Sequence, residues 1–158
     1  MRRYGIRLYI TFVFGYDGDT PATFNASVEY AKDHRFYIAA FNHLTPFPGT
    51  PLYRRLQREG RLLYPAWWLD DTYSYNQIPF QPRQLSPVEL QHHCLAARRE
   101  FYRWSSIIRR SLDPVNRASW LMFRNFFVIN GMLRAEVSQR DSYPLGDAGW
   151  RGQLLTAG

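Results

Sequence analysis

The sequence predicts an α/β fold: one parallel βαβ unit followed by a mainly α-helical extension. Three observations carry this. Two short apolar runs, Ile6 to Phe14 and Phe36 to Asn42, flank a helical pattern, and together they occupy about 35 residues, enough for a crossover unit. A strong helix start, Ser86-Pro87-Val88-Glu89, opens a long amphipathic pattern in the second half. The chain of 158 residues is 46% hydrophobic and 17% aromatic, so it can bury a core and does not read as disordered.

The elements follow in order. In the first run Leu8, Ile10, Phe12 and Phe14 share one face and Tyr9, Thr11 and Val13 the other. Both faces are largely apolar, as in a parallel strand covered on both sides. Gly15 to Asp19 forms a tight turn. Asp19 or Thr20 offers an N-cap, and Pro21 suits the first helical position. The helix reaches about Asp33 and buries Phe24, Val28 and Ala31. Phe36 to Asn42 is the second strand, joined by a right-handed crossover. The run Pro46-Phe47-Pro48-Gly49-Thr50-Pro51 breaks the pattern and leads into a short helix closed by Gly60.

Leu62 to Tyr75 is irregular and rich in Trp and Tyr, and the prolines of Ile78 to Pro82 allow only an edge segment. Beyond Ser86 the stripe Leu90, Cys94, Ala97, Phe101, Trp104, Ile108 has helical spacing. It predicts one helix to about Asp113, with Arg98, Arg99, Arg103, Arg109 and Arg110 mostly on the solvent side. A second helix, from about Asn116 to Ser138, is expected to pack antiparallel to it. The pair would bury Leu90, Phe101, Trp104, Ile108, Trp120, Phe123 and Phe127. The domain organisation expected is therefore residues 1–60 as strands and helices of a partial barrel, 61–140 as a helical extension, and 141–158 as a flexible tail.

Charge and cysteine content narrow the function. The net charge is +7, and of 20 basic residues Lys32 is the only lysine. The arginines are spread along the chain, as in an arginine-biased genome, and no nucleic acid is expected as a partner. The one cysteine, Cys94, excludes an internal disulfide and any multi-thiolate site within one chain, and fits a cytoplasmic setting. Trp120 to Leu133 is apolar but interrupted by Arg124, Asn125 and Asn130, and falls short of the roughly 20 apolar residues of a spanning helix. Strands apolar on both faces need neighbours and a second layer. The rest of the sheet is therefore expected from upstream sequence or another chain.

Phe12-Val13-Phe14-Gly15-Tyr16-Asp17-Gly18-Asp19-Thr20-Pro21 resembles the fifth-strand segment of radical S-adenosylmethionine (radical SAM) barrels. Phe41 to Tyr53, with its Pro48-Gly49-Thr50-Pro51 turn and the following Glu59-Gly60-Arg61, resembles the sixth-strand segment. The Asp17-Gly18-Asp19-Thr20 form looks like the branch of iron–sulfur oxidoreductases that carries a cobalamin-binding domain. The resemblance covers roughly residues 4 to 110 and implies a TIM-like (β/α) barrel fragment with a C-terminal extension. It implies S-adenosylmethionine and a [4Fe-4S] cluster as cofactors of the full-length protein, with cobalamin a further candidate. In that family three cysteines spaced C-x3-C-x2-C hold the cluster, which reduces S-adenosylmethionine to a 5′-deoxyadenosyl radical. That triad is absent here, so the isolated chain is expected to be inactive, and its partners are a barrel half and a cobalamin-type domain.

Barrels place ligands at the carboxyl ends of their strands. By resemblance, Phe12, Phe14 and Gly15 would flank the adenosine at the end of the first strand, and Asn42, His43 and Leu44 at the end of the second. No catalytic residue and no metal ligand is assigned. Each of these six also has a plain structural role open to it, as core, turn or hydrogen-bonding residue. His92 and His93 are adjacent on a helix and point apart, against a shared metal site. Phosphate-loop, dinucleotide and nucleophile-elbow patterns are absent. Two further classes stay open: an Arg-rich helical module for RNA or an acidic protein, and a membrane-surface element built on Trp120 to Leu133.

Overall fold

The computed structural model describes residues 4–139. The tail from residue 141, expected to be flexible, lies outside the described residues. The elements are β1 (Tyr9–Phe14), α1 (Pro21–Asp33), β2 (Ile38–His43), α2 (Pro51–Arg58), α3 (Pro87–Phe101), α4 (Trp104–Ser111) and α5 (Trp120–Gln139). β1 and β2 form a parallel pair in which Tyr9 lies opposite Ile38 and Phe14 opposite His43. None of the described helices is long and apolar enough to cross a membrane.

Local chemistry explains the boundaries. The Thr20 backbone N–H donates to Thr23 Oγ1 at 3.2 Å, and Pro21 begins α1. Asp19, expected as a candidate cap, instead closes the glycine turn: its Oδ2 accepts from Gly15 N at 2.8 Å and Tyr16 N at 3.0 Å. Ser86 and Glu89 form the reciprocal capping box that their spacing predicts, with bonds of 3.2 and 2.7 Å. Ile78 and Phe80 are buried, and Phe80 bridges antiparallel to Leu62.

One face of the sheet carries the core. Phe12 stacks on Phe41 at 5.2 Å, Phe14 on Phe24 of α1 at 4.2 Å, and Phe41 meets Phe101 of α3 at 5.6 Å. Each fully buried ring of this kind contributes roughly 1.5–3 kcal/mol. The other face was expected to be covered too, and on β1 it is not: Tyr9 is 65% and Val13 39% exposed. The main core lies on the Phe12/Phe41 side; on the other, Ile38 and Ala40 are half-buried beside Leu133 and Val137 of α5, while Tyr9 and Val13 of β1 stay open.

The outer edge of β2 is closed without a strand. The Tyr102 hydroxyl donates to Ala39 O at 2.8 Å and accepts from Ala39 N at 3.3 Å. Arg98 Nε donates to Phe41 O at 2.9 Å. Below them Asn130 Nδ2 and Arg110 Nη1 both reach Tyr37 O, at 3.3 Å each. Outward carbonyls recur at alternate residues: that of Tyr37 is met from α4 and α5, that of Ala39 by Tyr102 just after α3, and that of Phe41 from α3.

This arrangement breaks the expected long helix in two. α3 ends at Phe101 and α4 begins at Trp104, with Arg103 in extended conformation (ψ 143°) between them. The physical reason is Arg110. Its guanidinium, fully buried, donates to Phe36 O at 3.0 Å, Phe101 O at 3.2 Å and Asn130 Oδ1 at 3.0 Å, and lies 3.8 Å over the Phe101 ring. It takes up a carbonyl at the end of α3 and so satisfies a helix terminus that would otherwise be buried unpaired. The break turns the stripe. Leu90, Cys94, Ala97 and Phe101 are buried as expected, but Trp104 (49% exposed) and Ile108 (53%) face outward, and Ile107 and Arg110 take the inner positions. Arg98 and Arg110 are thus not solvent-side residues. On α5, Phe126 and Asn130 are the fully buried residues rather than Trp120, Phe123 or Phe127. The contacts Arg110–Asn130 and Tyr102–Arg134 run in opposite chain order, so α5 descends alongside α4 and the end of α3.

Arg110→Ala strips hydrogen bonds from several buried carbonyls at once and is expected to cost about 3 kcal/mol or more. Trp104→Ala, at a half-exposed site, should cost less than about 1 kcal/mol. Urea denaturation of the two variants tests the reversal, since a single continuous helix would make Trp104 the costlier loss.

Candidate functional site

The register of the sheet creates the site. Phe14 and His43 end their strands level with each other, and Leu44 N donates to Phe14 O at 2.7 Å, extending the pairing by one step. Beyond this point the chain opens a cleft of about 490 Å³ at the carboxyl ends of both strands, the usual ligand position in parallel α/β folds. Its floor is Val13, Asn42, His43 and Leu44, and its walls are Thr45, Phe47, Trp67, Tyr73, Tyr75, Asn76 and Arg98.

The walls are held by specific bonds. Trp67 Nε1 donates to Pro46 O at 3.1 Å, tying the aromatic segment to the loop after β2. The Tyr73 hydroxyl donates to Gln77 O at 2.7 Å and Gln77 Oε1 accepts from Ser74 N at 2.9 Å. Between them Asn76 adopts a left-handed φ of 71°, a conformation asparagine tolerates better than most residues. Arg98 joins strand edge, floor and wall: besides Phe41 O, it donates to Asn42 Oδ1 at 3.1 Å and to Asn76 Oδ1 at 3.4 Å. The Asn76 side-chain amide nitrogen is buried without a hydrogen-bond partner, a donor that an acceptor on a ligand could satisfy.

Burial holds His43 and Tyr73, which share the cleft with Arg98, in their neutral forms. Burial, reinforced by the nearby Arg98 cation, lowers the His43 pKa from 6.5 to about 4, so the imidazole is neutral at physiological pH. Burial, with Tyr64 adding to it, pushes the Tyr73 hydroxyl up to about 12. Cys94 is buried in α3, outside the cleft lining, and burial pushes its thiol up to about 12. A thiol so disposed is a poor nucleophile and metal ligand. Among the described residues no cluster of three or more His, Cys, Asp or Glu side chains could hold a metal ion.

The six sequence-derived candidates divide. Asn42, His43 and Leu44 line the cleft. Phe12, Phe14 and Gly15 lie behind it: both rings enter the core face. A Cβ on Gly15 (φ 106°) would stand 3.0 Å from Leu90 and 3.1 Å from Phe80. The missing Cβ leaves room for these two core side chains. Side-chain alternation decides the difference, because Val13, not Phe12 or Phe14, points to the open side. Sequence reading missed Val13, Tyr73, Tyr75, Asn76 and Arg98. The aromatic density from Trp67 to Tyr75 was the visible signal for the wall. Asp17, next to the turn, is engaged by Arg55 at 3.0 Å and Arg61 at 3.2 Å, with Arg83 at 3.4 Å, and belongs to a surface ion network away from the cleft.

A parallel α/β unit with an aromatic cleft at its strand ends is the class that fold and site define. Known proteins sharpen this. The chain is 31% identical over 129 residues to bacteriochlorophyllide d C-12(1)-methyltransferase of Chlorobaculum tepidum, a match covering 81% of this chain and 26% of that protein. It is 24% identical over 111 residues to bacteriochlorophyllide d C-8(2)-methyltransferase of the same organism, covering 70% of this chain and 24% of the relative. It is 38% identical over 61 residues to hopanoid C-2 methylase of Rhodopseudomonas palustris, covering 39% and 12%. The chain thus spans about a quarter of the length of the first two relatives. No family model matches it, and no solved structure matches at a significant level. These similarities support a fragment of the radical SAM family. The activity named for the relatives is methyl transfer, in place of the broader oxidoreductase expected from sequence.

The depressed His43 pKa makes stability depend on pH. The unfolded chain takes up the proton first, so the contribution of neutral His43 is full above about 6.5 and is lost as the pH falls toward 4. His43→Asn should flatten the fall in the urea midpoint across that window. An undiminished slope in the variant would place the titration elsewhere.

Proposed function

We propose that the chain is the C-terminal part of a radical SAM methyltransferase. In this reading residues 1–60 supply the last strands of a partial barrel, 61–140 form the extension, and 141–158 a tail. The carrying observation is the cleft at the carboxyl ends of β1 and β2, with Asn42, His43 and Leu44 on its floor. Similarity to methyltransferases over four-fifths of the chain supports the reaction class. The uncovered Tyr9/Val13 face supports a sheet that continues with residues outside this chain.

The residues present fit the adenosine part of S-adenosylmethionine. Leu44, Val13 and the aromatic wall offer apolar cover for a nucleoside, and Asn42, Asn76 and neutral His43 offer uncharged hydrogen-bonding groups. Phe12, Phe14 and Gly15 hold this wall from behind. S-adenosylmethionine, when bound, supplies the methyl group and the radical chemistry; this chain binds and orients its nucleoside. A [4Fe-4S] cluster does not fit the chain, which has one cysteine, buried and outside the cleft. Its ligands belong to the rest of the protein, and no residue here is assigned to cobalamin. The methyl acceptors named for the relatives are bacteriochlorophyllide d and hopanoid. We assign an acceptor of that kind, large and mainly apolar, to the complete enzyme.

Titration of the labelled 158-residue chain with S-adenosylhomocysteine tests the wall. Amide resonances of Val13, Asn42, His43, Leu44 and Asn76 should shift, with weak affinity of about the millimolar order because only part of the groove is present. Methionine alone should leave them in place. Shifts confined to other residues would refute the assignment. Anaerobic treatment of the same chain with iron and sulfide should yield no stoichiometric cluster. A cluster that disappears in Cys94→Ala would show the cysteine to be misread.

A further inference from the structure

The break between α3 and α4 leaves an apolar face that the core does not use. On α4 and its C-cap, Trp104, Ile108 and Leu112 recur at every fourth residue and are 49, 53 and 56% exposed. On α5, Trp120, Leu121, Val128 and Met132 are 75, 52, 53 and 60% exposed, opposite the buried Phe126 and Asn130. The two stripes are neighbours, since the Trp104 ring lies beside Gly131 and under the Arg134 guanidinium at 5.7 Å. Scattered exposed apolar residues are ordinary, but a contiguous set of large ones marks a contact surface.

Charge identifies what the surface contacts. From Arg103 to Gln139 the basic residues are Arg103, Arg109, Arg110, Arg117, Arg124 and Arg134, and the acidic residues are Asp113, which is buried, and Glu136 near the end of α5; Arg103 pairs with Glu100 at 3.8 Å. Arg110 is also buried and Arg109 pairs with Asp33 at 2.9 Å. Arg117 and Arg124 are exposed and form no ion pair among the described residues. The face is therefore apolar with a net cationic fringe, in which Arg117 and Arg124 are the exposed charges. A second copy of this chain would bring like charges together across it. An anionic bilayer surface meets both needs, taking tryptophan and aliphatic side chains at the headgroup boundary and pairing arginine with phosphate. α5 is not long and apolar enough to cross a membrane, so the contact proposed is one at the surface.

We propose that the α4–α5 face docks on an anionic membrane surface. The inference is independent of the nucleoside wall, because the face and the cleft share no residue. Flotation of the 158-residue chain with phosphatidylcholine vesicles and with phosphatidylcholine–phosphatidylglycerol vesicles tests it. The chain should float with the anionic vesicles, less so in high salt, and only weakly with the neutral ones. Trp120→Glu combined with Val128→Glu should abolish flotation, and Arg124→Glu should lower the affinity by at least about fivefold. These sites are exposed, so the circular dichroism spectrum and urea midpoint should not change. Failure to float with anionic vesicles, flotation indifferent to all three substitutions, or a concentration-dependent dimer abolished by Trp120→Glu would overturn the proposal. The last would assign the face to a second copy.

Discussion

A sheet edge must be satisfied, and here side chains do it. The outward carbonyls of Tyr37, just before β2, and of Ala39 and Phe41 within it are met by Asn130, Tyr102 and Arg98, with Arg110 anchoring the lower end. Every later element depends on this closure. It draws α3 against the strand, ends that helix at Phe101, and brings Asn130 of α5 into the same network. Four polar side chains thus replace a neighbouring strand and terminate the sheet on one side. Burying a guanidinium is costly unless its donors are matched, and Arg110 is matched by three backbone carbonyls, a serine hydroxyl and an asparagine oxygen.

The opposite edge and face follow the reverse logic. Phe14 O bonds toward β2, so the backbone groups of Tyr9, Thr11 and Val13 point away from it. Their side chains stand on the exposed face. The chain is closed where its extension folds back and open where β1 ends the sheet. The cleft lies at the boundary of these two regimes, and Arg98 links them, since one guanidinium holds the β2 edge, the Asn42 floor and the Asn76 wall. A change at this arginine would be felt in packing and in the site together.

Much of this was legible because it is local. Strand alternation, the Ser86–Glu89 capping box, the Pro21 and Pro51 helix starts and the Gly60 stop are set by residues within a few positions of one another. The place of Asn42, His43 and Leu44 at the mouth of the cleft was legible because a strand end and the Pro46–Pro51 turn are both marked in the chain. That Phe12, Phe14 and Gly15 lie on the core side was not legible, because periodicity gives two faces without saying which one a helix will cover.

The amino-acid sequence by itself determined the βαβ unit, the helical second half, the absence of a thiolate cluster and the family resemblance, each a matter of composition, spacing or motif. Tertiary structure alone decided which side of β1 is core, where α3 breaks, and that Arg98 and Arg110 turn inward while Trp104 and Ile108 turn outward. The physical reason is the same in each case. Buried backbone groups of β2 need donors, the nearest lie on helices some 60 to 90 residues away in the chain, and helical spacing alone cannot reveal a demand made from that distance.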